Sequence, residues 1–157
     1  MADEVLARVG ASAPRRLAGV GMLGFIGVFA LYVVAAGSPT AGWTVFLVAT
    51  GAGALALAMR MWQATQNEIE LTIEGLRSTD GTEIARLDQI EAMDRGFLAF
   101  KPSNGFVLRL SAAQARSWHP GLWWRMGRRV GIGGVTPGAQ SKAMSEILAA
   151  LLAKRDM

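Results

Sequence analysis

The chain has no cysteine and a single histidine, His119. Without cysteine there are no disulfides and no thiolate metal sites. One histidine excludes a multi-histidine metal centre within one chain. Charge is missing altogether from residues 17–59, although charged residues make up 18% of the 157-residue chain. The patterns that announce catalysis are also missing. Ser111 and Ser117 lie outside a nucleophile-elbow context. Gly131-Ile132-Gly133-Gly134 follows a basic pair but lacks the Gly-Lys-Ser/Thr ending of a phosphate loop. No dinucleotide fingerprint follows a strand. Asp88, Glu91 and Asp94, three apart, read as a solvated edge, because a hard cation needs more convergent oxygens. His119 precedes Pro120 without a recognisable base and nucleophile around it. We therefore expect no enzyme, no cofactor and no resident metal.

What is present is apolar length. About 20 apolar residues in a helix cross a hydrocarbon core of about 30 Å. Residues 17–36 and 41–59 each meet that length, and Gly37-Ser38-Pro39-Thr40 between them reads as a tight turn. Two membrane-spanning helices are predicted. A buried soluble hairpin is the alternative. A cleavable signal is disfavoured because the first run exceeds the usual core of about 7–15 residues. Arg15 and Arg16 precede the first span and Arg60 follows the second, while the turn is uncharged. Basic residues at span ends mark the cytoplasmic side. Both termini are thus expected in the cytoplasm of a bacterium, in a multi-pass protein of the inner membrane. The excess of arginine over lysine suits a GC-rich bacterial genome. Tyr32 and Trp43 flank the turn and Trp62 follows the second span, as interfacial anchors do. Gly21, Gly24 and Gly27 on the first helix, and Ala49, Ala52, Gly53 and Ala56 on the second, form small-residue faces that allow close helix packing. They serve either the hairpin itself or a partner's helices. The spans hold no ionisable group, which argues against a transport path.

The remainder divides into residues 1–16, a cytoplasmic N-terminal segment; 17–62, the hairpin; and 63–157, one small domain. Residues 2–9 are expected as a short amphipathic helix, or else a frayed tail, ended by Pro14. After a brief helical extension, residues 68–73 alternate as a half-buried strand. Glu74-Gly75 reads as a turn, then residues 76–79, then the Asp80-Gly81 turn. Further strands are expected at 82–87, 90–94, 97–100, 106–110 and 128–135. Met144, Ile147, Leu148, Leu151 and Leu152 form the apolar stripe of a closing helix, with Ser141 as its candidate cap and Lys154-Arg155 at its end.

The run Ile69-Glu70-Leu71-Thr72-Ile73-Glu74-Gly75-Leu76-Arg77, the turn Asp80-Gly81, the segment 84–87 and the helix 141–153 resemble, in their order, the pleckstrin-homology-like (PH-like) fold. Small bacterial membrane proteins carry such domains directly after one or two membrane helices. The likeness covers roughly residues 68–154. It implies an α+β domain with an antiparallel sheet or partly open barrel and one C-terminal helix. In that family, lipid-binding members hold phosphates with a basic loop between the first two strands. Here that loop reads as Glu74-Gly75, short and acidic, so the likeness implies protein contact in place of phosphoinositide recognition.

Charge within the domain is uneven. Residues 68–94 carry most of its acids, whereas 101–142 hold Lys101, Arg109, Arg116, Arg125, Arg128, Arg129 and Lys142 with no acid. Trp118, Trp123 and Trp124 fall in this basic stretch. We expect Trp118, Trp123, Trp124, Arg125, Arg128 and Arg129 to touch a membrane surface or a partner, since Trp and Arg dominate binding hot spots and suit anionic headgroups. An internal use of the tryptophans is the competing expectation. The function read from this pattern is that of an accessory protein. It would brace or recruit a larger integral-membrane complex, respiratory or photosynthetic, without nucleic acid or a small-molecule substrate. An anionic-lipid sensor is the alternative, and a membrane-bound enzyme with an unrecognised site is the third.

Overall fold

A computed structural model describes residues 4–94 and 103–157. The expected strand at 97–100 lies outside the described residues. Two long helices come first, α1 (Ala13–Ala36) and α2 (Ala41–Ala64), each 24 residues. At 1.5 Å per residue each is about 36 Å long, and both are long and apolar enough to cross a membrane. They are not core helices. Phe25 is 69% exposed and Val45 70%, with Met22, Phe29, Phe46 and Met59 similarly open. Apolar surface of that extent needs a nonaqueous neighbour. Pro14 does not end a preceding helix. It occupies the first turn of α1, where its missing N–H costs nothing.

Residues 4–12 are not helical. Ala7–Val9 forms a strand, β1, paired antiparallel with β2 (Ile69–Thr72), Ala7 opposite Leu71 and Val9 opposite Ile69. The helix predicted over residues 2–9 is too short to hold by itself, and an open sheet edge offers Ala7–Val9 backbone partners. The helical hairpin is therefore inserted between two neighbouring strands of one sheet. β3 (Gly75–Ser78) and β4 (Glu83–Arg86) complete it in the order β1-β2-β3-β4. The β2–β3 turn is Ile73-Glu74, one residue earlier than predicted. Ile73 consequently leaves the core face and is 48% exposed. Gly75, at φ +144°, pairs with Thr72, and a side chain there would strike the Ala85 carbonyl. Glu70 is 8% exposed and is clasped between Arg8 and Arg77, each at 3.1 Å, so one carboxylate links three strands.

After a single 3-10 turn (Leu87–Gln89), a second sheet runs β5 (Ile90–Asp94), β6 (Phe106–His119) and β7 (Trp123–Ile132). β6 and β7 are longer than the sequence suggested, and they curl. Between Arg109 and Gln114 β6 advances five residues while β7 advances two, from Arg129 to Gly127. Surplus residues on one strand bend a ladder. The bend brings the hairpin's own turn back to the chain after β7. The Leu122 carbonyl accepts from Gly133 N (2.9 Å), and the Gly121 carbonyl from Val135 N (3.0 Å).

The closing helix α3 (Gly138–Arg155) lays Met144 and Leu148 into a core shared by both sheets, with Ile147, Leu151 and Leu152 packed on its edge. Ser141 is not its cap. Pro137 takes that position, and Ser141 is buried with its hydroxyl 3.3 Å from that of Thr136. Arg155 near the helix end donates to the carbonyls of Leu87 (2.7 Å) and Ile90 (2.8 Å), pinning α3 to the connection between the sheets.

Candidate site where the helical hairpin meets the domain

The end of α2, the start of α1 and the β6–β7 turn meet at one level. Arg16 donates to the Trp62 carbonyl (3.2 Å), and its guanidinium lies 4.0 Å from the Trp62 ring centroid. Arg15 donates to the Thr136 carbonyl (3.0 Å), and Ser12 N to that of Val135 (2.7 Å). The expected anchors Arg15, Arg16 and Trp62 thus also lock the hairpin's base to the domain. Arg60 extends over Trp118, 5.9 Å from its ring centroid. At the far end Tyr32 and Trp43 are 63% and 61% exposed.

The small-residue faces do not pack within the hairpin, with one exception. Gly27 is buried, and a Cβ there would fall 2.6 Å from Leu55 Cγ and 3.0 Å from the Gly51 carbonyl oxygen. Gly21 and Gly24 have open space around them, and Ala49, Ala52, Gly53 and Ala56 point outward. The helices meet instead along Gly19, Gly27, Ala30, Gly51, Ala58 and Met61. Apart from Gly27, the inner seam was not among the small-residue faces read from the sequence, where nothing local distinguished inner from outer.

The six residues of the basic aromatic group do not share one surface. Trp123 is not a surface residue. It is 1% exposed and stacks on His119 across the strands, centroids 4.5 Å apart. Its indole N–H has no partner among the described residues. Trp124 is half-buried, and its indole fills the space over Gly131. Trp118, opposite Trp124, remains 50% exposed. Arg125 is spent internally, donating to the carbonyls of Ala115 (2.8 Å), Glu83 (3.0 Å) and Ile84 (3.0 Å), and so joins the two sheets. Arg128 donates to the Leu110 carbonyl (2.9 Å) and pairs with Glu91 (2.9 Å). Arg129 points to solvent without an ion pair, directly opposite Arg109, which is equally exposed and unpaired among the described residues. Like charges directly opposite on a ladder cost stability. Arg109 and Arg116 therefore belong to the exposed basic face, though neither carried a pattern that separated it from Arg125 or Arg128.

A cavity of about 260 Å³ opens between α2 and the β6–β7 turn, lined by Arg60, Gln63, Asn67, Trp118, His119 and Pro120. The Ser117 hydroxyl lies 3.2 Å from His119 Nε2, a contact the sequence did not suggest. Burial holds the His119 pKa below its ordinary 6.5; Asp80 opposes that shift, and Arg60 and Arg125 add to it. Burial alone would raise Asp80, but hydrogen bonds from Thr82 and Ser78 and the charge of His119 bring it below 3.8. Asp88 and Glu91 are engaged by Arg86 and Arg128, and no three metal-ligating side chains gather among the described residues. A larger open cleft of about 610 Å³ lies along β3 and β4, with Glu74, Glu83 and Asp88 facing Arg86 and Arg155, a mixed charge that selects no ligand sign.

Compared with protein-family models, curated proteins and solved structures, the chain matches none. The class that the fold itself defines is a two-helix apolar hairpin joined to a small α+β domain with antiparallel sheets and a C-terminal helix.

Proposed function

We propose that this chain is a non-catalytic, membrane-anchored interaction module of a bacterial inner membrane, multi-pass, with both termini in the cytoplasm. The observation that carries the reading is the insertion of the helical hairpin between β1 and β2. Two covalent connections, reinforced by Ser12 on Val135 and Arg15 on Thr136, hold the domain in one pose against the hairpin. A domain held that way suits bracing or recruitment better than free diffusion of a tethered head. The surface it offers is the outer face of β6 and β7, where Arg109, Arg116 and Arg129 are exposed. The fitting partner is an acidic cytoplasmic surface of a larger integral-membrane complex.

The PH-like likeness is part of this proposal. Several short antiparallel strands closed by one helix support it. The strand count shifts its meaning, however: Glu74 belongs to the connection of β2 to β3, while β1 and β2 are joined by the whole membrane hairpin. The segment that holds phosphates in lipid-binding members of that family would here be replaced by the anchor. The Ser117–His119 contact is read as structural. The two side chains sit on one face of β6, two residues apart, and no hydrogen bond orients the other ring nitrogen among the described residues.

The test is purification of the tagged full chain from native membranes in mild detergent, beside Arg109→Glu and Arg129→Glu together. Stoichiometric membrane-protein partners should accompany the natural chain and be lost from the double variant. A natural chain that emerges alone, or that needs no detergent, would end this reading.

A further inference from the structure

The cavity beside Arg60 has the composition of an anion site. Arg60 and Gln63 come from the C-terminal part of α2, Asn67 from the bend after it, and Trp118 and His119 from the end of β6. No carboxylate lines it. Arg60 has no acidic partner among the described residues, and its guanidinium is held only by the Trp118 ring. Asn67 Oδ1 accepts from Thr79 Oγ1 (3.4 Å), which leaves its NH2 to donate. His119 shares Nε2 with Ser117 and stacks on Trp123, so it forms a fixed wall. A guanidinium, two side-chain amides and the Trp118 ring thus line a space large enough for a phosphate with its ester substituents.

Depth argues for the source of that phosphate. Arg60 is the first charged residue after 43 uncharged ones and follows Ala41, the start of α2, by 19 residues. At 1.5 Å per residue that is about 29 Å, one hydrocarbon thickness. In a membrane-spanning hairpin the cavity therefore lies at headgroup level, with the half-exposed Trp118 as its interfacial wall.

We propose that Arg60, Gln63, Asn67 and Trp118 form a binding site for the phosphodiester of one anionic phospholipid headgroup. The inference rests on the membrane placement proposed above, but not on any protein partner. It separates this lipid site from Arg109 and Arg129, which pair with each other at a distance along the ladder from the Trp118–Trp124 pair.

The experiment titrates the full chain, in neutral detergent, with phosphatidylglycerol and with phosphatidylcholine, and counts bound lipid by native mass spectrometry. One phosphatidylglycerol per chain is expected, held in preference to phosphatidylcholine. Arg60→Gln should weaken it about fivefold, the scale of one basic residue near an anionic surface, whereas Arg129→Gln should not. Arg60 is exposed, so folding is not at risk; Trp118→Leu is the second variant and should also weaken retention. Equal loss from Arg60→Gln and Arg129→Gln would mean diffuse attraction and overturn the site. So would equal retention of the two lipids. Displacement of the lipid by inorganic phosphate at similar concentration would overturn the lipid source. A chain soluble without detergent would instead sink the membrane placement, which distinguishes the two failures.

Discussion

In the α1–α2 hairpin the large apolar side chains point outward, Phe25 and Val45 being 69% and 70% exposed. In the β6–β7 hairpin they point inward, Leu108, Val130 and Ile132 being fully buried, while arginines hold the outside. Each arrangement answers a different solvent. A helix satisfies its backbone internally and can show apolar side chains to lipid. A curled two-stranded ribbon in water must bury one face and charge the other. The two hairpins meet where Arg60 covers Trp118.

The comparison breaks most severely at Trp123. Trp123→Ala should lower the stability of the full chain in detergent by about 3–5 kcal/mol, as large-to-small changes in a core do. The same change at Trp118, half-exposed one pair away, should cost far less. Thermal unfolding of the two variants side by side reads the difference, and equal losses would contradict the inward and outward assignment.

In the helical hairpin the matching contrast is Gly27 against Gly24. Gly27→Leu must push aside Leu55 and the Gly51 carbonyl, a strain of about 1–3 kcal/mol. Gly24→Leu enters open space. The absence of native cysteine allows a clean readout: with Leu31→Cys and Gly51→Cys as the reporter pair, cross-linking should fall severalfold in the first variant and hold in the second.

A third cut severs the N-terminal strand from its neighbours. Glu70→Gln weakens the charged contacts to Arg8 and Arg77, which should cost about 1–2 kcal/mol, discounted because both arginines are partly solvated. Hydrogen exchange at Ala7–Val9 should rise before that at β3, since β1 is the edge strand.

The smallest effect is a pH dependence. The folded chain resists protonating His119, so the unfolded chain takes up that proton first. The stability tied to His119 is complete above its ordinary 6.5 and is lost as pH falls from there through the lowered folded value. Asp80, held below 3.8, adds a separate loss in stronger acid. A stability profile of His119→Gln should lack the first step and keep the second.

Much of this architecture was legible in the residues. The two helices, the Asp80-Gly81 turn, the strands at 82–87 and 90–94 and the stripe from Met144 to Leu152 all follow from local periodicity, and the structure has them. What was missed shares one cause. Ser111-Ala112-Ala113-Gln114-Ala115-Arg116 has the composition of a helix, yet it is strand because β7 pairs with Gln114 and with the residues on either side of the segment. The segment Ala7–Val9 was read as part of a short helix and is strand through its pairing with Ile69–Leu71. The candidate site was half legible: its tryptophans and arginines stood out, but not which of them would be consumed inside, nor that Gln63 and Asn67 would join them.

Apolar length and the lack of charge are summed along consecutive residues, so the sequence alone determined two helices of membrane-crossing length and a basic, cysteine-free partner domain. Burial depends on what arrives from elsewhere in the chain. Ala7 meets Leu71, and Arg125 meets Glu83 and Ile84, across separations that no local pattern encodes. Only the tertiary structure decided that Trp123 goes inside while Trp118 stays out, that Arg125 staples two sheets while Arg129 faces water, and that the chain before the hairpin completes the sheet after it. Each of those outcomes is a competition for the same backbone carbonyls and the same core volume, and such a competition has a winner only once all the competitors are in place.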